Sequence, residues 1–276
     1  MRVVESRRFG PLRIDVPVIG LGTWKMEHDD RASALAAIRR AVDLGMTHID
    51  TAEMYGAGRV EELVGEALAD IRDRVFLVSK VLPHNASREG TVRACEASLR
   101  RLRTDHLDLY LLHWREEIPL GETIAAFEKL REQGKIRAWG VSNFDDEDLD
   151  EALALSGAGA ITCNQVLYHL GNRTIEHRVL PWCEKHGVAV VAYSPFGSGR
   201  MPKSRVLDEL AAQFNTTPYR LALAFLTRHK SVFAIPKSAD AAHVEQLAQR
   251  LELDETALAK IDAAFPLTRW QGLPML

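Results

Sequence analysis

The feature that most constrains the fold is a regular alternation along the chain. Short apolar runs take turns with longer segments in which apolar residues recur every three or four positions. The short runs fall at residues 18–23, 47–51, 75–80, 107–113, 137–142, 161–166, 188–193 and 232–236. The longer ones fall at 31–44, 59–70, 88–102, 123–133, 145–155, 176–186, 204–214, 218–228, 241–250 and 254–264. In the first of these, Leu35, Ile38, Ala41 and Val42 share a helical face, and Gly45 stops the run. Gly134 and Gly187 close two later helices in the same way.

The runs at 107–113 and 188–193 are apolar at nearly every position. Strands buried on both faces look like this, and parallel sheets covered by helices contain them. Strand–helix alternation builds βαβ units. Eight is the strand count at which such a sheet closes into a barrel. The expected architecture is therefore α/β: a (β/α)8 TIM barrel, one domain over residues 1–276. A β-hairpin at 7–9 and 13–15, around Gly10-Pro11, precedes it, and extra helices end it. An open doubly wound sheet is the alternative. It lacks its glycine fingerprint, because Gly20-Leu21-Gly22-Thr23-Trp24-Lys25 has no third glycine.

Composition narrows the function. A formal net charge of −3 and the absence of a basic run argue against nucleic acid or a membrane surface as partner. Arg100, Arg101 and Arg103 read as the solvated last turn of a helix. Cys95, Cys163 and Cys183 are odd in number and form no CxxC pair, which fits small buried hydrophobes in a reducing compartment. The start of the chain is too polar for a signal peptide, and no apolar run approaches the roughly 18 residues of a membrane span. The expected location is cytoplasmic. No metal-ligand spacing stands out.

In a (β/α)8 barrel the site lies at the C-terminal strand ends. Here those ends carry Asp50, Lys80, His113, Ser142-Asn143, Asn164-Gln165, Tyr193-Ser194 and Pro236-Lys237. Four residues form a chemical unit: Asp50, Tyr55, Lys80 and His113. Singly, each has a structural role open to it, as cap, loop aromatic, snorkelling lysine or core histidine. Their recurrence at successive strand ends favours chemistry. A phenol ionises near pH 10, and a nearby ammonium lowers that value. Asp50 supplies the counter-charge that a buried Lys80 needs. A neutral His113 can hold a carbonyl toward the phenol. Together they form a general-acid device for a carbonyl that receives hydride. Trp24, Met54 and Trp114, with Met26 beside them, are expected to wall the substrate pocket, and Trp270 in the tail is placed to fold over it, with a frayed end as the alternative.

With these residues the chain resembles the aldo-keto reductases. The resemblance runs through Gly20-Leu21-Gly22-Thr23-Trp24, Asp50-Thr51-Ala52-Glu53-Met54-Tyr55-Gly56, Lys80 and Leu111-Leu112-His113-Trp114. It continues through Gly134-Lys135-Ile136-Arg137, Gly140-Val141-Ser142-Asn143-Phe144, Asn164-Gln165, Ala192-Tyr193-Ser194-Pro195 and Ile235-Pro236-Lys237-Ser238. It implies Tyr55 as the acid, with Asp50, Lys80 and His113 as partners. It also implies NADPH as cofactor, with NADH as the alternative, lying across the barrel mouth. Ser142, Asn143 and Gln165 would meet the nicotinamide carboxamide and Tyr193 the ring. Ser194, Pro195, Phe196, Gly197 and Ser198 would follow the pyrophosphate, and Thr23, Trp24, Ile235 and Pro236 would border it. Lys237 and Ser238 would begin the 2′-phosphate site. There the pattern departs: His243 stands where many NADPH-using members carry Arg, and Gln246-Leu247 where Glu-Asn is usual. Asp240 adds a negative charge. Protonation of a histidine in mildly acid solution is then expected to favour NADPH. The short form resembles bacterial members that reduce methylglyoxal and other small aldehydes, and a monomer is expected. The alternative activity is a cofactor-binding regulatory barrel with slow turnover. A hydrolase built on Asp50 and Glu53 lacks an opposed carboxylate partner.

Overall fold

The structure is a computed structural model that describes residues 4–12 and 14–275. It starts with a hairpin, β1 (Ser6–Arg8) against β2 (Asp15–Pro17). Residue 13, part of the expected second strand, lies outside the described residues. The hairpin delivers Phe9 into the bottom of the barrel, where it is fully buried. Its ring meets Phe233 at 4.8 Å, Phe76 at 5.3 Å and the His48 imidazole at 5.8 Å.

The alternation then unfolds along the chain. β3 (Leu21–Gly22) leads to α1 (Arg31–Leu44), β4 (His48–Asp50) to α2 (Arg59–Leu68), and β5 (Phe76–Val81) to α3 (Arg88–Leu102). β6 (Leu107–Leu112) leads to α4 (Leu120–Glu132), β7 (Ile136–Ser142) to α5 (Asp146–Ser156), and β8 (Ile161–Leu167) to α6 (Val179–His186). β9 (Ala189–Tyr193) is followed by α7 (Arg205–Gln213) and α8 (Pro218–Leu226). β10 (Val232–Ala234), α9 (Ala241–Ala248) and α10 (Glu255–Ala264) complete the order.

β3 to β10 pair in sequence order, all parallel. The two end strands also meet. Ile19 bridges Ala234 and Gly22 bridges Lys237, with Gly20 N–H on the Ala234 carbonyl at 2.9 Å and Gly22 N–H on the Pro236 carbonyl at 3.0 Å. The barrel is thereby closed. β3 needs glycine on both flanks: a Cβ on Gly20 would stand 2.5 Å from the His48 carbonyl oxygen of β4, and one on Gly22 2.7 Å from that of Ile235, just past β10. β3 and β10 are shorter than the apolar runs at 18–23 and 232–236.

Helix ends follow local chemistry. Asp30 caps α1, Ser87 caps α3, and Asp145 with Asp148 forms a capping box on α5. Gly45 ends α1 at φ 95°. Because every strand runs the same way, the C-terminal ends of β3 to β10 face one rim.

Candidate active site

Asp50 is the last residue of β4, Lys80 lies one short of the end of β5, and His113 follows β6. Neighbouring parallel strands therefore bring three residues, 30 or more apart in sequence, to one edge of the rim. After β4 the chain turns back through a short 3-10 segment, Tyr55–Gly58, in which Gly56 and Ala57 take left-handed backbone. This turn aims the Tyr55 hydroxyl at Lys80.

Lys80 Nζ has three partners: the Asp50 carboxylate at 2.5 Å, the Thr51 carbonyl at 2.9 Å and the Tyr55 hydroxyl at 3.1 Å. Three is the full capacity of an ammonium. Lys80 and Asp50 are essentially inaccessible to solvent. Burial favours neutral lysine, but the charge and hydrogen bond of Asp50, with those of Tyr55, outweigh it and hold the Lys80 pKa above its ordinary value. The second Asp50 oxygen accepts from Gln165 Nε2 at 2.7 Å, and the Asp50 carbonyl accepts from the Thr23 hydroxyl at 2.9 Å.

Tyr55 departs from the sequence expectation of a lowered pKa. Burial of the hydroxyl pushes it up, Lys80 offsets only part of that rise, and the Asp50 carboxylate adds to it. The residue as a whole is half-buried, with its hydroxyl on the buried Lys80 ammonium. The net result is a firmly protonated phenol held against a cation. His113 is buried, and burial together with the Lys80 charge holds its pKa well below the usual range, so the imidazole is neutral at neutral pH. Its Nδ1 is buried with no partner, and its ring meets that of Tyr55 edge-on at 5.9 Å.

A polar chain extends from this group around the rim. The Ser142 hydroxyl donates to the Gln165 carbonyl at 2.8 Å, Asn143 Nδ2 to the His113 carbonyl at 3.0 Å, and the Tyr193 hydroxyl to Asn143 Oδ1 at 2.9 Å. Asn143 and Ser194 both take left-handed φ, 60° and 48°, uncommon for non-glycine residues and characteristic of functional loops.

These groups open into a cleft of about 450 Å³. Of the residues expected at the site, Thr23, Trp24, Asp50, Met54, Tyr55, His113 and Trp114 line it. So do Ser142, Asn143, Gln165, Tyr193, Ser194, Pro195, Phe196, Ser198, Ile235 and Lys237. Lys80 sits beneath the floor. A second hollow of about 430 Å³ lies against the hairpin, beside Arg7 and Arg220, remote from this constellation.

Several expected residues stand elsewhere. Met26 is buried in the core, under the rim. Trp270 is not in the cleft wall. It packs on the main core with the Arg178 guanidinium 5.5 Å from its ring, and Met275 of the same tail reaches the cleft instead. Gly197, Pro236, Ser238, His243 and Gln246 do not line the cleft either. Asp240 is turned into the N-cap of α9, accepting from the N–H groups of Ala242 and His243. His243 is exposed, with Nδ1 3.9 Å from the Asp240 carboxylate. The Ser238 hydroxyl bonds to the backbone of Asp240. Leu247 is buried in the core, so an apolar residue there is a packing choice. Glu53 accepts from Leu82 N–H and Asn85, away from Asp50, which removes a paired-carboxylate site.

Residues 18–265 match the model of the aldo/keto reductase family. The chain belongs to the aldo/keto reductase family. It is accordingly an oxidoreductase. It is 49% identical over 262 residues to methylglyoxal reductase YeaE of Escherichia coli K12, covering 92% of each chain. It is 34% identical to the glyoxal reductase of Bacillus subtilis strain 168, over 91% of this chain and 89% of that one. Among solved structures, an aldo/keto reductase from Klebsiella pneumoniae in complex with NADP and acetate matches at TM-score 0.92, 46% identity and full coverage of both chains. One from the same organism in complex with NADPH matches at 0.93 and 47%, over 99% of this chain and 100% of that one.

Sequence reasoning missed Lys25 and Met275, which line this aldo/keto reductase cleft, and Asp29, which pairs with Lys237 of its wall. Lys25 follows Trp24 in left-handed backbone and lays its ammonium 4.3 Å from that indole ring. Its only sequence signal is adjacency to a rim tryptophan. Asp29 forms an ion pair with Lys237 across 208 positions of sequence, and nothing local announces it. The use of Gln165 as a donor to Asp50 was equally hidden, because it depends on two strands that are not neighbours in the chain.

Proposed function

We propose that this aldo/keto reductase reduces small aldehydes and α-dicarbonyls such as methylglyoxal, with NADPH as hydride source, and that Tyr55 is the proton donor. One observation carries the reading: a protonated Tyr55 hydroxyl, a Lys80 ammonium and an Asp50 carboxylate in a buried line at 3.1 and 2.5 Å, opening into a cleft beside a neutral histidine.

The residues fit a dinucleotide. The cleft of about 450 Å³ is lined by His113 and Trp114 as well as by Lys237. Its far side is a loop in which Ser194, Gly197, Ser198 and Gly199 all take positive φ, and such loops suit close approach of backbone to phosphate. Lys25 and Lys237 supply positive charge at that end. When bound, the dinucleotide supplies the hydride. Asn143, Ser142 and the Tyr193 ring would hold its nicotinamide end. Lys237, with Ser238 nearby, would meet the adenosine phosphate.

The chain's own residues do the rest. The neutral His113 orients a carbonyl oxygen by a hydrogen bond from its cleft-facing edge. As that oxygen gains negative charge, Tyr55 transfers its phenolic proton to it. The Lys80 ammonium, 3.1 Å away, stabilises the phenolate that remains. Asp50 and Gln165 keep Lys80 charged and in place. Trp24, Met54 and Trp114 exclude water and leave a small apolar space, which favours small carbonyls. The relatives named methylglyoxal and glyoxal reductase support that substrate class. Three buried free thiols suit the reducing cytoplasm, where the protein would work as a monomer.

Tyr55→Phe tests the proposal. It keeps the ring and removes the proton. NADPH should still quench tryptophan fluorescence with near wild-type affinity, while kcat/KM for methylglyoxal falls by a factor of about 10³. Turnover within a few-fold of wild type would remove Tyr55 as the acid. Absence of methylglyoxal turnover in the wild type would favour a slow regulatory barrel.

A further inference from the structure

The adenosine end of the cleft contains an ion pair with no role in the reading above. Lys237, a cleft-wall residue, places its ammonium on the carboxylate of Asp29. Both side chains are about a third exposed, 32% and 29%, and Lys237 lines the cleft.

Both backbones are fixed by the barrel seam. Lys237 is held by its bridge to Gly22, the residue that closes β10 onto β3. Asp29 ends the short 3-10 turn Met26–His28, and its N–H is bonded to the Met26 carbonyl at 3.1 Å. Asp30, next in sequence, is committed to capping α1. The carboxylate of Asp29 is thus delivered to Lys237 by the ordered β3–α1 connection.

The surrounding charges give the pair its consequence. Asp240 adds a second carboxylate, turned into the cap of α9, and His243 lies beside it. Arg40 of α1 is paired with Glu245 of α9, and Arg31 with Glu66. His28 stands against Glu27. Lys237 therefore already carries Asp29, while Lys25, the other lysine of the cleft lining, lies over the Trp24 ring. A phosphate dianion arriving at Lys237 must displace the carboxylate or sit beside it, and like charges at short range repel. A ribose hydroxyl meets no such penalty, because a carboxylate accepts a hydrogen bond from it.

We propose that Asp29 is the residue that sets the choice between the two nicotinamide dinucleotides, by occupying Lys237 and weakening its grip on a 2′-phosphate while accepting a ribose 2′-hydroxyl. The inference rests on the reading that Lys237 meets the adenosine phosphate. It makes the protein a reductase that tolerates NADH because of an internal carboxylate as well as the missing arginine at His243.

The test is a set of dissociation constants for NADPH and NADH, read by quenching of tryptophan fluorescence at low ionic strength. The variants are wild type, Asp29→Asn, Asp29→Ala, Lys237→Met and the double variant Asp29→Asn/Lys237→Met. Asp29→Asn should tighten NADPH about tenfold and leave NADH within about twofold. Asp29→Ala should tighten NADPH similarly and weaken NADH a few-fold. Lys237→Met should weaken NADPH, and in that background Asp29→Asn should have little further effect. An unchanged NADPH/NADH ratio in both Asp29 variants, with Lys237→Met still weakening NADPH, overturns the role of Asp29 and leaves the Lys237 reading intact. Equal tightening of both dinucleotides also overturns it, since that is a general charge effect. If Lys237→Met leaves NADPH binding unchanged, the Lys237 reading fails and the role of Asp29 falls with it.

Discussion

The buried Lys80 ammonium carries two loads. In the proposed mechanism it stabilises the phenolate that Tyr55 would leave behind, and it neutralises Asp50. Lys80→Met removes both while filling similar space. Asp50 would then be a buried carboxylate left with the hydrogen bond from the Gln165 amide. Loss of one partner of such a pair costs about 3–5 kcal/mol of stability. At Tyr55 the forces that remain, burial and the Asp50 charge, both raise the pKa, so the phenol becomes a worse donor. The expected outcome is a fall in kcat/KM by a factor of about 10³. NADPH affinity should change only a few-fold, because Lys80 lies below the cleft floor. Steady-state kinetics with fluorescence titration would separate the two effects. A proportional loss of dinucleotide binding would mean that Lys80 acts through cleft structure instead.

At the scale of elements, packing rests on close approach at chosen points. α2 crosses the C-terminal end of α3 at Gly65. A Cβ there would lie 2.7 Å from the Arg101 carbonyl oxygen and 2.7 Å from the Leu102 carbonyl carbon. Those atoms are backbone and cannot move aside alone. Gly65→Ala gains about 1 kcal/mol of helix propensity, but overpacking typically costs 1–3 kcal/mol. The crowding here is severe, so a net loss of about 1–2 kcal/mol is expected. It would appear as a lower urea midpoint at unchanged m-value, and a midpoint equal to or above wild type would show that the two helices separate freely. The same distinction explains what was legible beforehand. α1 and α3 begin and end at the expected residues because Asp30, Gly45 and Ser87 encode those ends within a few positions of chain. α6 starts at Val179 rather than 176, because Glu176 is drawn into a cluster with Arg173, Tyr168 and Arg228. The Asp50, Lys80 and His113 group was readable because each ends a strand of a regular barrel. The Tyr55 pKa, the side-chain position of Trp270 and the Asp29–Lys237 pair were not, since each is settled by burial or by residues far away in sequence.

For the molecule as a whole, the buried titratable groups set an acid limit. His48 is fully buried beside Phe9 and Phe76, with neither ring nitrogen hydrogen-bonded, and burial pushes its pKa down to about 4. His113, His169 and His229 are also held low, in each case chiefly by burial. In the unfolded chain a histidine titrates near 6.5. Between pH 6.5 and 4 the unfolded state therefore binds protons that the folded state refuses. Stability is fully present above pH 6.5 and is lost as the pH falls toward 4. For His48 alone the shift amounts to about 3 kcal/mol at most. Glu176 then extends the decline. Burial opposes its ionisation, but hydrogen bonds from Arg173 and Tyr168 and the charge of Arg228 win, and its pKa falls to about 2. Its contribution is present above about pH 4.5 and is lost between there and pH 2. Urea midpoints measured from pH 8 to pH 4 should be flat above about 7 and fall steadily below 6.5. His48→Leu, which keeps the site apolar, should make that fall shallower down to about pH 4. A His48→Leu curve parallel to wild type from pH 6.5 to 4 would show that His48 takes up its proton in the folded barrel, through an opening of the hairpin plug around Phe9.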